Sequence, residues 1–297
     1  MKILGRLSVA AMVVAFGEIM LGSWTRINGA GMTCPDYPLC HGQFIPSMGG
    51  GTVWEWTHRV TAALLSLLVL SVIAFAWRAR GASPLVLPTA GTIAALFVLQ
   101  VILGAATVHL ANSPASVVWH WGTAMALVAS LACMAVFATS PTARERQSFG
   151  GGIVFVSLLV TAAIAFVTMC IGAYVSSSGA GLACRDIPGC AGHVVVYTPG
   201  QFVQMLHRLI AAGTLAGSVC SFALVWARST GTALRAAVTA GTCLVFLQVL
   251  LGLMNVALRL PIDLREAHAA NAALVFITFV GAAALAAPLR ASNWVIR

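Results

Sequence analysis

The sequence predicts an all-α integral membrane protein whose eight transmembrane helices form two parallel, pseudo-symmetric four-helix bundles. Three observations carry this. First, 60% of the 297 residues are hydrophobic and only 8% are charged, with a mean hydropathy of +0.96; a soluble domain carries about 25% charged residues. Second, the chain contains eight apolar runs long enough to cross a bilayer, a crossing needing roughly 20 residues. Third, the second half repeats motifs of the first at an offset near 150 residues.

The runs fall at 7–24, 55–77, 86–109, 117–140, 151–174, 202–227, 236–258 and 267–289. Helices are expected because a single helix satisfies its own backbone in lipid. The first run is expected to be a retained span, being longer than the apolar core of a secretory signal and followed by further spans. A net charge of +9 could suggest nucleic acid, but its distribution excludes that reading. With the N-terminus in the cytoplasm, the segments on that side hold Lys2, Arg6, Arg78, Arg80, Arg144, Arg146, Arg228, Arg235, Arg290 and Arg297. The opposite side holds Arg26, Arg59, Arg185, Arg208, Arg259 and Arg265. Ten against six follows the positive-inside rule and places both termini in the cytoplasm.

The repeat divides the chain into halves of about 1–145 and 146–297, joined by the segment 141–150. "GSWTRINGAGMTCPDYPLC" (Gly22–Cys40) matches "GAYVSSSGAGLACRDIPGC" (Gly172–Cys190) at an offset of 150. His58-Arg59 matches His207-Arg208 at 149, while "LQVILG" (Leu99–Gly104) matches "LQVLLG" (Leu247–Gly252) and His120 matches His268 at 148. Each half has an even number of spans, so the two share one orientation and are related by an axis along the membrane normal. Residues present in both halves are candidates for a shared role, and residues in one half for what distinguishes the two.

Two of the shared features are cysteine pairs, Cys34/Cys40 and Cys184/Cys190, in the loops after spans 1 and 5. Outside the cytoplasm a disulfide within each pair is the simplest reading, and closing such a loop stabilises by roughly 2–3 kcal/mol. Redox exchange within a pair is the alternative; a zinc site is poorly served by this spacing. Cys133, Cys170, Cys220 and Cys243 lie within spans and read as small apolar residues.

The histidines sort in the same way. His58, His120, His207 and His268 recur, whereas His109 aligns with Ala257, His41 with Ala191, and His193 has no counterpart. His58 and His120 begin spans 2 and 4, which run in the same direction, so both side chains are expected at one depth; His207 and His268 do the same in spans 6 and 8. Two imidazoles at equal depth in a four-helix bundle suit the two axial positions of a haem iron. A metal-free, hydrogen-bonded role is the competing reading. Arg59 and Arg208 follow their histidines and are expected to face haem propionates as planar bidentate donors. Alternatively Arg59 pairs with Glu55 at i,i+4 or snorkels.

One difference stands out when "VWEWTHRV" (Val53–Val60) is set beside "FVQMLHRL" (Phe202–Leu209): Glu55 is replaced by Gln204. The uncharged isostere preserves packing and hydrogen bonding but cannot move a proton or stabilise developing positive charge. The first site is therefore expected to be reactive and the second to hold a fixed cofactor, with a salt bridge to Arg59 as the plainer reading of Glu55. Glu18, aligned with Thr168, is an intramembrane acid and a functional suspect by that fact, with no partner legible in the sequence. Arg26, aligned with Ser176, is expected to contact a propionate or anchor the loop. Gln100 and Gln248 recur and read as interhelical hydrogen-bond donors.

On the "GAGMTCPDYPLCHG" loop, Glu55-x-x-His58-Arg59, "LQVILGA" before His120, and the second copy with His207 and His268, the chain resembles the haem A synthases over nearly its whole length. Tyr37 stands where that family's loop often has Trp. The resemblance implies an eight-helix enzyme of the bacterial inner membrane that oxidises a methyl group of haem O to a formyl group, giving haem A for terminal oxidases. It implies His58 and His120 as ligands of the substrate haem O, Glu55 as the carboxylate needed for turnover, and His207 and His268 as ligands of an electron-passing haem b. It places the haems toward the extracytoplasmic side and has the loop cysteines forming disulfides or handling the haem. Implied partners are the enzyme supplying haem O, a quinone-like electron partner and membrane lipid, with homo-oligomerisation open and no nucleic acid. A cytochrome b-type electron carrier and a haem-binding or transfer protein are the rival classes; a pure carrier gives no reason for a carboxylate in one half alone, while the covalent rigidity of both loops suits haem transfer.

Overall fold

The computed structural model describes residues 1–139, 151–190, 192, 196–228 and 230–288. Eight long helices account for most of them: α1 (Lys2–Ile27), α2 (Thr52–Arg78), α3 (Val86–His109), α4 (Pro114–Thr139), α5 (Gly151–Ser177), α6 (Pro199–Ala227), α7 (Thr232–Ala257) and α8 (Ile262–Ala286). All eight are long and apolar enough to cross a membrane, and the described residues contain no β-strand. The all-α class and the eight spans are thus those the sequence predicts. Expectations resting on Arg144, Arg146, Ala191, His193, Arg290, Arg297 and the 141–150 linker fall outside the described residues.

The helices overrun the apolar runs where polar residues begin. α2, α4, α6 and α8 open at Thr52, Pro114, Pro199 and Ile262, ahead of runs starting at 55, 117, 202 and 267. Hydropathy falls at polar residues, Pro and Gly, whereas a helix runs on as far as its backbone hydrogen bonds do. α6 shows the cause directly: the Thr198 side chain accepts from the Gln201 amide, the Gln201 side chain accepts from the Thr198 amide, and Pro199 occupies the first turn.

Within the first four helices, α1 packs on α2 and α4, and α3 packs on α2 and α4. The same pairings recur among α5 to α8, and α4 meets α5 and α8 across the middle. α4 and α8 are the most enclosed spans, with 61% and 50% of their central windows buried against 17% for α3. Their buried faces supply Met125, Val128, Leu131, Met134, Phe276 and Phe279 to one continuous apolar core. The exposed apolar face of α3, including Val98, Val101 and Ile102, is suited to lipid.

One end of the bundle carries both cysteine loops. Cys34 is bonded to Cys40 (S–S 2.01 Å) and Cys184 to Cys190 (2.09 Å), so the disulfide reading holds for both pairs. The Asp36 carboxylate accepts from the amides of His41 (2.7 Å) and Gly42 (2.8 Å). Those bonds, Gly42's above all, hold the carboxyl below its ordinary range. The α3–α4 and α7–α8 links turn through residues at positive φ, Ala111 and Asn112 in one and Arg259 and Leu260 in the other. Each link then packs on a glycine of a cysteine loop. Asn112 Nδ2 donates to the Gly31 carbonyl (2.8 Å), while Leu260 lies so close to Gly181 that a Cβ there would be 2.8 Å from it. These contacts tie the loops down over the ends of the histidine-bearing helices.

Candidate functional site

The four recurring histidines sit on α2, α4, α6 and α8, and each imidazole lies on a glycine of the preceding helix. A Cβ added to Gly22 would stand 2.7 Å from His58 Cε1, and one added to Gly172 would stand 2.9 Å from His207 Cε1. For Gly104 against His120 the distance is 3.3 Å, and for Gly252 against His268 it is 3.2 Å. Only a residue without a Cβ lets the ring lie flush with the neighbouring backbone. These glycines are the Gly22/Gly172 and Gly104/Gly252 pairs of the sequence repeat, so the seat is built identically in both halves.

The seats bring the rings together in pairs. The His207 and His268 ring centroids are 6.5 Å apart with an interplanar angle of 68°. His58 and His120 occupy the corresponding seats, on Gly22 and Gly104, in the first half. One metal ion between two imidazoles, bonded at about 2.0–2.1 Å to each, sets the centroids roughly 6.4 Å apart. The observed spacing fits that. No group of three or more His, Cys, Asp or Glu is placed to hold an ion among the described residues; a pair of imidazoles is a donor set that suits the two axial positions of a haem iron.

The ring nitrogens facing away from the partner are held differently in the two halves. His207 Nδ1 is 3.1 Å from the Thr168 carbonyl. His58 Nδ1 is 2.6 Å from Glu18 Oε1, an ion-pair contact, and neither buried atom has a hydrogen-bond partner. The Thr61 hydroxyl donates to the other Glu18 oxygen. Glu18, for which the sequence offered no partner, therefore belongs to the first histidine pair. Gln100 Nε2 reaches His120 Nε2 at 3.4 Å, and Gln248 Nε2 reaches His268 Nε2 at 3.1 Å while Gln248 Oε1 accepts from Asn271 Nδ2 (2.7 Å). The expected interhelical glutamine bonds thus end on the histidines themselves.

Glu55 is buried, and both of its oxygens are engaged. Oε2 accepts from Thr33 Oγ1 (3.0 Å) and the Cys34 amide (2.9 Å), and Oε1 pairs with Arg59 at 2.7 Å. Gln204 occupies the same place in the other half. Its Oε1 accepts from the Cys184 amide and its Nε2 donates to the Gly181 carbonyl (2.8 Å). The two side chains do one structural task, holding the disulfide loop, and differ in charge.

The expectation for Arg59 and Arg208 set their guanidiniums toward propionates; in the structure both reach the loops instead. Arg59 donates to the carbonyls of Asp36, Leu39 and Cys34, and Arg208 to those of Asp186, Pro188, Gly189 and Cys184. A planar five-donor fork suits a curled chain whose carbonyls converge. Arg26 behaves otherwise. It donates to Ser176 (3.0 Å), its own counterpart in the repeat, and with Arg265, Asn112, Gly31 and Ser177 lines a cleft of about 320 Å³ where the halves meet. Arg265 is a residue the sequence reading passed over, because it has no counterpart of its own type.

Fold and site together define a polytopic helical membrane protein with two paired-imidazole sites roofed by disulfide loops. Residues 50–280 match the model of the COX15-CtaA family, cytochrome oxidase assembly proteins, and the chain belongs to that family. Among its relatives, the haem A synthase of Bacillus licheniformis is 28% identical over 216 residues, 71% of each chain. That of Shouchella clausii is 27% identical over 84% of each chain, and that of Shewanella oneidensis 26% identical over 88% of this chain and 90% of the relative.

Proposed function

We propose that the protein is a haem A synthase, an oxidoreductase that converts the methyl substituent of haem O to a formyl group. The observation that carries this reading is the duplicated, glycine-seated histidine pair with carboxylates, Glu18 and Glu55, on the first copy alone. In this reading the N-terminal half (1–145) is the reactive unit, with His58 and His120 holding substrate haem O. The C-terminal half (146–297) holds a resident haem b through His207 and His268. Haem b supplies one-electron relay when bound.

Converting a methyl to a formyl group with water as oxygen source removes four electrons and releases four protons. The electrons leave to a quinone-like acceptor, and the protons leave through groups at the loop end of the bundle. Two axial histidines leave no open position on the substrate iron, which favours electron removal followed by attack of water at the activated carbon. Glu55 is the group for that step. Its carboxylate, replaced by Gln204 in the other half, would stabilise a carbocation-like centre or take a proton from the attacking water. Arg26 and Arg265 both line the cleft between the halves, which supports them as the guanidiniums that would meet propionates, while Arg59 and Arg208 hold the cysteine loops. The ten-to-six bias of basic residues supports cytoplasmic termini and haem sites toward the opposite face.

The test is to purify the protein, extract its pigments and identify them by mass. Haem B together with haem O, haem A or an alcohol intermediate is expected. Haem B alone in both sites, even with haem O supplied, would sink the synthase reading in favour of an electron carrier.

A further inference from the structure

We propose that Glu18 is a positioning residue for His58, one that makes the first site electronically different from the second. Its carboxylate fixes the imidazole through Nδ1 and increases electron donation from the opposite ring nitrogen, so the iron held there has the lower reduction potential. The inference deepens the haem reading and rests on His58 being an iron ligand.

Four observations converge on this. Glu18 Oε1 stands 2.6 Å from His58 Nδ1 as an ion pair, and both atoms are buried with no hydrogen-bond partner. The acid is 9% exposed in the middle of α1, where an ionisable group is costly and marks function. Thr61 holds its second oxygen, so the carboxylate is oriented as well as buried. Finally, Gly22, one turn further along the same helix, seats the ring's edge and leaves it no freedom to turn away.

The second half shows that the charge is not needed merely to hold a ring. Thr168 aligns with Glu18, and there the helix's own carbonyl meets His207 Nδ1 at 3.1 Å. Its hydroxyl turns aside, toward Thr214 (2.9 Å). One helix thus offers a neutral acceptor and its copy an anionic one, to equivalent rings in equivalent seats. A carboxylate behind a metal-bound imidazole fixes the ring and raises its basicity, which stabilises ferric over ferrous iron. Glu55 cannot supply this effect, because its oxygens are committed to Arg59, Thr33 and Cys34.

The experiment compares the purified holoprotein with Glu18→Gln and Glu18→Asp variants, each loaded anaerobically with haem O. Haem affinity and the midpoint potential of each haem are read by spectroelectrochemical titration. Glu18→Gln should bind haem O about 10–100-fold more weakly and raise the potential of the first haem, leaving the second unmoved. A tenfold change in the ferric/ferrous ratio is about 59 mV. Glu18→Asp, which keeps the charge and guards against a folding artefact, should stay nearer the parent. An unmoved first potential in Glu18→Gln overturns the proposal, as does an equal shift in both variants. A parallel His58→Ala variant separates this from failure of the haem reading: if the low-spin haem signal of the first site survives without His58, the ligand assignment itself is wrong.

Discussion

Gly22 and His58 are in contact with no room for a methyl group between them: a Cβ on Gly22 would lie 2.7 Å from the imidazole Cε1. Gly172 repeats the relation with His207 at 2.9 Å. Both glycines lie in mid-helix, where Ala is preferred by about 1 kcal/mol, so the ring contact is the reason they are tolerated. Gly22→Ala should push the His58 ring from its seat and deplete the first haem, while Gly172→Ala should deplete the second. Forcing a methyl into such a contact costs about 1–3 kcal/mol. Gly17→Ala, on the same helix with nothing within 4 Å of the added carbon, is the control and should leave haem content unchanged or slightly improved. Haem-to-protein ratio measured for each site checks this; equal retention in Gly22→Ala and Gly17→Ala would remove the seat from the argument.

Glu55→Gln copies the second half, and the structure says why it should fold. Gln204 already accepts the Cys184 amide in the place where Glu55 accepts that of Cys34, so the loop keeps its bond. The variant should retain both haems, accumulate unoxidised haem O and lose haem A formation by at least about 100-fold, the scale of a removed electrostatic stabiliser. The reverse change, Gln204→Glu, should not confer oxidation on the second haem. Pigment analysis by mass reads both outcomes, and normal haem A yield from Glu55→Gln removes the carboxylate from the mechanism.

How much of this was legible in the sequence depended on whether a side chain or a backbone atom does the work. The eight helices and the four histidines were legible, because apolar length and side-chain identity are written in the residues and the repeat separated paired from unpaired ones. The partner of Glu18 was not. It depends on the register of α1 against α2, and in the other half its task falls to the Thr168 carbonyl, which no residue type reveals. The same blindness affected Arg59 and Arg208. The repeat showed both arginines, but their acceptors are loop carbonyls, and only the folded loop shows that these converge. The starts of α2, α4, α6 and α8 were missed by three to five residues because polar residues, Pro and Gly ended the hydropathy signal before the hydrogen bonding ended.

The two arginines then provide a difference measurement. Each holds a cysteine loop by its carbonyls, but Arg59 also pairs with a buried carboxylate, whereas Arg208 faces the neutral Gln204. Removing Arg59 leaves the Glu55 charge buried and uncompensated, a loss on the order of 3–5 kcal/mol. Removing Arg208 leaves unpaired carbonyls and takes a cation from near Asp186, but strands no buried carboxylate, costing about 1–3 kcal/mol. Arg59→Ala should therefore lower the thermal midpoint of the detergent-solubilised protein more than Arg208→Ala does. Adding Glu55→Gln to Arg59→Ala should recover part of the loss, since it removes the stranded charge while keeping the Cys34 bond. Equal losses from the two single variants, or no recovery in the double variant, would mean that the loops are held by the arginine–carbonyl bonds alone and that the Glu55 charge carries no structural cost of its own.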